Sequence, residues 1–364
     1  MTDHERKICK NAFSFVEIHP DGKVYPCCPA WNNGYDFGNI FKDSHETIFN
    51  GIKAKEFRKS IMDGSYKYCN LDTCFGLLVS NLNGVIPDFI SSDGTTTKYP
   101  SSVKFCHDYA CNFRCITCRD QKTINSKEKT QYLNSLIDTH FIPILKDAGG
   151  ISLNGSGELF ASEHCRELVK KIAQVRPDIR FSIHTNGSLC NEKNCIELGI
   201  LDKLYEVQVS IHSASTRTHK KITRTNLYKK IHKNLLWLSE LKKMGKLKAL
   251  ILNFVVSGLN YREMKAFMKM AIRLDAVAAF WEYKPWGAEL DKDYKNLAVF
   301  EPGNKNYKHL AKILQDDIFK HKNCRMNNIL KDVSLKKVAV PTMNEKLNKL
   351  LGDFLCHFFS KRKQ

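Results

Sequence analysis

Cys111-Asn-Phe-Arg-Cys115-Ile-Thr-Cys118 packs three thiols into eight residues. In this CxxxCxxC spacing they can wrap one corner of an iron–sulfur cube. A [4Fe–4S] cluster takes four cysteines when the protein ligates it fully. Three therefore leave one iron open to a substrate or cofactor, which marks a reactive site rather than a structural staple. Structural zinc is the rival occupant, but it prefers four ligands, often in CxxC pairs.

The rest of the chain sets bounds on that site. Its 364 residues suffice for a sizeable core and more than one domain. With 43% hydrophobic and 26% charged residues, the composition is that of a soluble globular protein. There is no apolar run of about 18 residues, and MTDHERKICK lacks a secretory apolar stretch, so the expected location is the cytoplasm. In that compartment fourteen cysteines read as metal ligands rather than disulfides. The net charge of +19 attracts anions, although Lys229, Lys230, Lys233, Lys242, Lys243 and Lys246 fall on expected helix faces and suit a solvated surface.

From residue 99 onward, strand and helix patterns alternate. Strands are expected over 103–106, 151–154, 180–184, 206–211, 249–256 and 277–283, with helices over 126–147, 160–175, 191–199, 225–244 and 259–273. That alternation implies βαβ units, a parallel sheet and an α/β partial (β/α)6 barrel, with ligands at the carboxyl ends of the strands. The expected domains are 1–98, a metal-stapled module and linker; 99–300, the partial barrel; and 301–364, a helical extension.

Motifs at the expected strand ends, in order over residues 99–286, resemble those of the radical SAM superfamily. Asn154-Gly-Ser-Gly-Glu158 resembles that family's Gly-Gly-Glu motif, with Ser156 replacing the first glycine. Thr185-Asn186-Gly187 matches a common turn, and Ser210-Ile-His-Ser213 stands where relatives have Ser-Ile-Asp. The resemblance implies that Cys111, Cys115 and Cys118 hold a [4Fe–4S] cluster whose open iron chelates S-adenosylmethionine. A reduced cluster would cleave that cofactor to a 5′-deoxyadenosyl radical. It further implies that Ser156 and Gly157 allow close approach of the methionyl group, that Glu158 accepts from its ammonium, and that Ser210 and Arg224 hold its carboxylate. Thr185, Asn186 and Asn253 complete the cofactor set. Thr117 replaces the usual aromatic residue before the third cysteine, which leaves adenine to backbone contacts and to Phe113 or Ile116.

The amino-terminal segment carries a second set. Cys9 is followed by twelve residues, Gly22, four residues and Cys27, then by Gly38-Asn-Ile40 and Cys69-Asn-Leu-Asp-Thr-Cys74. This resembles the auxiliary-cluster domains called SPASM and twitch, twitch being closer because only enough cysteines for one cluster are present. The implied ligands of a second [4Fe–4S] cluster are Cys9, Cys27, Cys69 and Cys74. Cys28 is the neighbour able to replace Cys27, although the count from Gly22 favours Cys27. A zinc-ribbon-like structural site is the alternative.

Phe280-Trp-Glu-Tyr-Lys-Pro-Trp286 ends the sixth strand, where Glu282, Lys284 and Trp286 are substrate candidates together with His212. Cys106, Cys165, Cys190, Cys195, Cys324 and Cys356 read as small buried hydrophobes. Leu347, Leu350, Leu351, Phe354, Leu355, Phe358 and Phe359 recur at helical spacing before Lys361-Arg-Lys363, an amphipathic helix that packs on the barrel or docks to an anionic membrane or partner. The expected function is hydrogen-atom abstraction from a polar, anionic small molecule such as a sugar or nucleotide-linked sugar, with flavodoxin or ferredoxin as reductant. Modification of a ribosomal peptide is the alternative, and no winged-helix segment for leader binding precedes Cys9. A non-catalytic iron–sulfur or zinc protein is the alternative of another class. No nucleic-acid motif is present.

Overall fold

The computed structural model describes residues 8–74, 77, 84–284, 293–327 and 329. Trp286, Cys356 and the expected helix at 344–364 lie outside them.

The described residues form one ten-stranded sheet in the order β10-β9-β8-β7-β6-β5-β4-β1-β2-β3. Six parallel strands in sequence order make its body: β4 (Ser102–Phe105), β5 (Gly150–Leu153), β6 (Arg180–Thr185), β7 (Leu204–Ser210), β8 (Ala249–Val256) and β9 (Val277–Glu282). These are the six expected strands, each with its bounds moved by at most two residues. The architecture is an α/β partial barrel.

Two extensions were not legible in the pattern. β10 (Cys324–Arg325) adds in parallel to β9. At the other edge, β1 (Phe15–Ile18) pairs in parallel with β4, and β2 (Lys23–Tyr25) and β3 (Gly38–Asn39) follow antiparallel. The cysteine-bearing leader thus joins the barrel's own sheet, and its core residues Val16, Ile18, Phe57 and Ile61 belong to the same apolar cluster as the barrel's. Gly22 closes the β1–β2 hairpin at φ +81°, and a Cβ there would sit 2.4 Å from Asn39 Oδ1.

Alternation along the strands separates two faces. Ile18, Phe105, Leu153, Ile183, Val207 and Leu250 stand side by side in register, all 0–1% exposed. Burying each such side chain contributes about 1.5–3 kcal/mol. The neighbouring row reads Glu17, Lys104, Ser152, Ser182, Glu206. Side chains on adjacent residues of a strand point to opposite faces, so the apolar row packs outward and the polar row lines the inside.

Helices start on side-chain caps immediately after the site loops. Ser126 accepts from the Lys129 N–H at α1 (Lys127–Ser135), Ser162 from Cys165 at α2 (Glu163–Val175), Asn191 from Asn194 at α3 (Glu192–Glu197), and Ser215 from Thr218 at α4 (Thr216–Thr223). α4 is an additional helix ahead of α5 (Tyr228–Lys243) and α6 (Met264–Arg273). The helix expected over 126–147 instead breaks into α1, a π turn at Ile137–Phe141 and a 3-10 turn at Pro143–Leu145. Pro143 has no N–H to continue the ladder. Among the described residues no helix is long and apolar enough to cross a membrane.

Candidate metal centres and active site

The three-cysteine loop runs from Cys111 to Cys118 beyond the end of β4. Its ends close where Cys111 and Thr123 exchange backbone hydrogen bonds of 2.8 and 3.1 Å. Within it the N–H groups of Cys118 and Arg119 both donate to Cys115 O, and Ile116 N–H donates to Ile222 O after α4 begins. The thiols lie within electrostatic reach of one another. Burial, then the neighbouring sulfurs, pushes Cys115 up to about 12, and burial also raises Cys111.

Arg119, which follows the third cysteine directly, fastens this loop. Its guanidinium donates to Tyr109 O at 2.6 Å, to Thr123 Oγ1 at 3.3 Å and to Ser156 O, while Nε donates to Cys118 Sγ at 3.4 Å. The approach to Cys111 is anchored by Asp108, whose carboxylate accepts from Ala110 N–H, Asn125 Nδ2 and the Ser162 hydroxyl. Asn112 joins the loop to the next strand end, accepting from Asn186 Nδ2 at 2.8 Å and donating to Ser188 Oγ at 3.1 Å.

Gly157 owes its size to this packing. A Cβ there would lie 2.4 Å from Asp108 O and 2.6 Å from Ala110 O. The missing Cβ therefore makes room for the Asp108–Ala110 backbone. Ser156 receives the Arg119 contact on its carbonyl. Glu158 is 1% exposed and accepts from the Thr185 hydroxyl at 2.7 Å, Asn186 N–H at 2.6 Å and Phe160 N–H at 3.4 Å. Burial raises its pKa to about 7 against the pull of those donors. Glu158, Thr185 and Asn186 thus form one unit beside the cysteine loop.

Other expected residues are placed differently. Phe113 is 1% exposed and edge-on to His219, a core position that offers no ring face to adenine and leaves Ile116 as the alternative. Ser210 and Arg224 were expected to share a carboxylate, but each is engaged elsewhere. Ser210 Oγ lies 2.7 Å from His184 Nε2, and Arg224 caps α4 at φ +55° and reaches Asp120 O at 3.5 Å. His212 is fixed in place on one edge of its ring. Its Nδ1 accepts from Val255 N–H at 3.1 Å, its carbonyl accepts from Asn260 Nδ2, and burial ahead of neighbouring histidines lowers its pKa to about 3. Glu282 and Lys284 pair with each other at 2.6 Å at the end of β9. Asn253 faces inward, bonded to Gln208 and Trp281.

The leader brings its own thiols together. Cys27 lies in electrostatic reach of Cys9, Cys69 and Cys74, and Cys69 in reach of Cys9 and Cys74. Cys28 instead faces Glu17 and Lys104 on the inner sheet face. The structure therefore separates the two adjacent cysteines, with Cys27 toward the thiol group and Cys28 toward the barrel. The Cys69–Cys74 loop is tied to the turn after Cys28 by Asn70 N–H to Trp31 O at 2.8 Å and by the Thr73 hydroxyl to Ala30 O. Burial raises Cys9 and Cys27, and takes Cys69 to about 12.

Both thiol groups suit a multi-iron cluster. Among the described residues no three His, Cys, Asp or Glu side chains converge as a single-ion site. Thiols spread around a larger body, each on its own iron, need not converge. Thiols that would repel one another as thiolates need a cation beside them to ionise, and an iron–sulfur cluster would supply it.

Residues 9–75 match SPASM, an iron–sulfur cluster-binding domain. This part of the leader is similar to iron–sulfur domains of that type. No curated protein matches the chain. Among solved structures, SuiB of Streptococcus suis bound to S-adenosylmethionine is similar at 15% identity and TM-score 0.41, over 79% of this chain and 68% of that one. Native anSMEcpe with bound AdoMet and the Cp18Cys peptide is similar at 18% identity and TM-score 0.35, over 60% of this chain and 61% of that one. BtrN with AdoMet and 2-DOIA is similar at 16% identity and TM-score 0.24, over 62% and 84%. These likenesses are too distant to carry a substrate from those proteins to this one.

Arg119, Asn112, Lys104 and Glu206 escaped the motif reading. The position of Arg119 next to Cys118 was a usable signal, as was the Glu206, Gln208, Ser210 alternation within one expected strand.

Proposed function

We propose that this chain is a radical SAM enzyme with an auxiliary iron–sulfur cluster in its leader, acting on a polar small molecule. The observation that carries the reading is the cysteine loop itself. Three thiols in mutual reach are clamped by Arg119 against Ser156 and by Asn112 against Asn186, so the loop, the Gly-rich turn and the Thr-Asn-Gly turn form one surface.

Cys111, Cys115 and Cys118 would hold one cluster, and Cys9, Cys27, Cys69 and Cys74 the other. The chemistry that the first cluster and S-adenosylmethionine supply when bound is one-electron cleavage to a 5′-deoxyadenosyl radical, which removes a hydrogen atom from substrate. Glu158 has acceptor capacity left on its carboxylate for the cofactor's ammonium. Thr185 and Asn186 keep that carboxylate oriented. Ser210, at the end of β7, and Asn253, level with it on β8, present polar groups to the inner face. Cys118 and Tyr109 are exposed, so a reductant such as flavodoxin or ferredoxin can approach this side.

The test is 5′-deoxyadenosine formation from S-adenosylmethionine and dithionite by anaerobically reconstituted protein. Wild type is expected to form the nucleoside and Cys115→Ala to form none. A reconstituted, iron-loaded wild type that leaves S-adenosylmethionine intact refutes the proposal.

A further inference from the structure

Side chains on the inner sheet face form a hydrogen-bond chain with a single direction. Trp281 Nε1 donates to Asn253 Oδ1 at 2.9 Å, Asn253 Nδ2 donates to Gln208 Oε1 at 3.3 Å, and Gln208 Nε2 donates to Glu206 Oε1 at 2.6 Å. Each amide accepts on its oxygen and donates from its nitrogen, so the chain must end on an acceptor. Glu206 is that end. The residue is 1% exposed, and its second oxygen, Oε2, is buried with no partner among the described residues. An unmatched buried acceptor is costly, and a ligand that donates a hydrogen bond removes the cost.

A cation stands across the same face. Arg325 on β10 is level with Ala279, which is level with Asn253, so its side chain shares the inner face with Asn253. Arg325 and Glu206 sense each other electrostatically without forming an ion pair, and among the described residues the guanidinium makes no hydrogen bond. An acid and a guanidinium thus stand at opposite ends of one polar wall, the first suited to a ligand's donor and the second to its acceptor. Trp281, 39% exposed, adds a large flat surface beside them.

We propose that this wall is the substrate subsite, and that it takes a polyhydroxylated ring bearing one anionic group, with a hydroxyl donating to Glu206 and the anion accepting from Arg325. The assignment deepens the radical-enzyme reading and rests on it for what becomes of the ligand. An apolar ligand would leave Glu206 Oε2 buried and unpaired and would not engage the Arg325 charge, whereas a hydroxylated anion answers both. Burial raises Glu206 to about 7, in keeping with a carboxyl group short of donors. A planar guanidinium pairs with carboxylate or phosphate through two parallel hydrogen bonds, so either source of the anion fits.

Calorimetric titration of cluster-reconstituted protein with glucose 6-phosphate, glucuronate and glucose tests the subsite and separates phosphate from carboxylate. At least one anionic sugar is expected to bind about tenfold or more tightly than glucose, the worth of one charge-assisted hydrogen bond. Arg325→Met should remove that advantage, Arg325→Lys should restore part of it, and Glu206→Gln should weaken all sugars that bind. Binding by neither anionic sugar at millimolar concentration, or binding indifferent to both the Arg325 and Glu206 substitutions, overturns the subsite. S-adenosylmethionine cleavage by the wild type without sugar is read separately. Sugar binding without cleavage refutes the radical reading and leaves the subsite standing, whereas cleavage without sugar binding refutes the subsite alone.

Discussion

Replacing Gly157 with alanine puts a methyl group 2.4 Å from Asp108 O and 2.6 Å from Ala110 O. Ordinary van der Waals contact begins near 3.4 Å, so the 108–110 segment must retreat by about 1 Å. Neither neighbour is the free end of a flexible side chain. Ala110 O also accepts from Glu158 N–H at 2.7 Å, and Asp108 is held by Asn125 and Ser162, so retreat strains bonds on both sides of the loop. Overpacking of this kind costs about 1–3 kcal/mol, and here it displaces the residue that precedes Cys111. Gly157→Ala should therefore lower both the thermal midpoint and the iron retained at the Cys111–Cys118 loop. Gly155→Ala is the internal control. Its Cβ meets Cys106 Sγ at 3.1 Å, a contact relieved by a few tenths of an ångström. Iron analysis after anaerobic reconstitution, with thermal unfolding of all three proteins, decides the matter. A Gly157→Ala protein with wild-type iron content and midpoint refutes the packing argument.

Arg119→Ala removes the guanidinium that holds Tyr109, Thr123, Ser156 and Cys118. A loss of about 2–3 kcal/mol and faster stripping of iron by a chelator are expected, and an unchanged stripping rate would contradict that role. Cys27→Ser should lose one cluster's iron while Cys28→Ser keeps it, because only Cys27 faces the other leader thiols; iron counting on the two variants distinguishes them. Stability should also depend on pH with two opposite signs. Glu17 is buried, yet the His19 hydrogen bond and the Lys104 charge take its pKa from 4.5 down to about 2, so its contribution, on the order of 3 kcal/mol, is full above pH 4.5 and lost as pH falls through 2. Burial takes Glu206 from 4.5 up to about 7, so its contribution is full below pH 4.5 and lost as pH rises through 7. Denaturation midpoints across pH should flatten at the acid end in Glu17→Gln and near neutrality in Glu206→Gln; curves that match wild type would refute both assignments.

Much of the barrel was legible because its strands are short apolar runs bounded by turn residues and separated by helix-length segments. Runs such as 249–256 can hardly be anything else in that context. β1 was missed because Phe15–Ile18 sits amid turn signals, and its partner β4 lies more than eighty residues away. Such pairing is a tertiary fact that local pattern does not contain. β10, two residues long, has too little pattern to detect. Within the site, cysteine spacing named the two thiol groups but left Cys27 and Cys28 open, since adjacent residues differ only in the direction they face. Phe113 and Gly157 show the opposite limit. Their positions in a motif gave no sign that the Phe113 ring is buried or that the missing Cβ of Gly157 makes room for the 108–110 backbone.

The central claim, two separate clusters of which one is reactive, is tested most directly by anaerobic iron and sulfide analysis of wild type and of a variant with Cys111, Cys115 and Cys118 all replaced by alanine, with dithionite-driven 5′-deoxyadenosine formation measured on both. The account predicts about eight irons in wild type and about four in the variant, with nucleoside formation lost. Stoichiometric zinc, or iron and nucleoside formation untouched by the triple substitution, would contradict it.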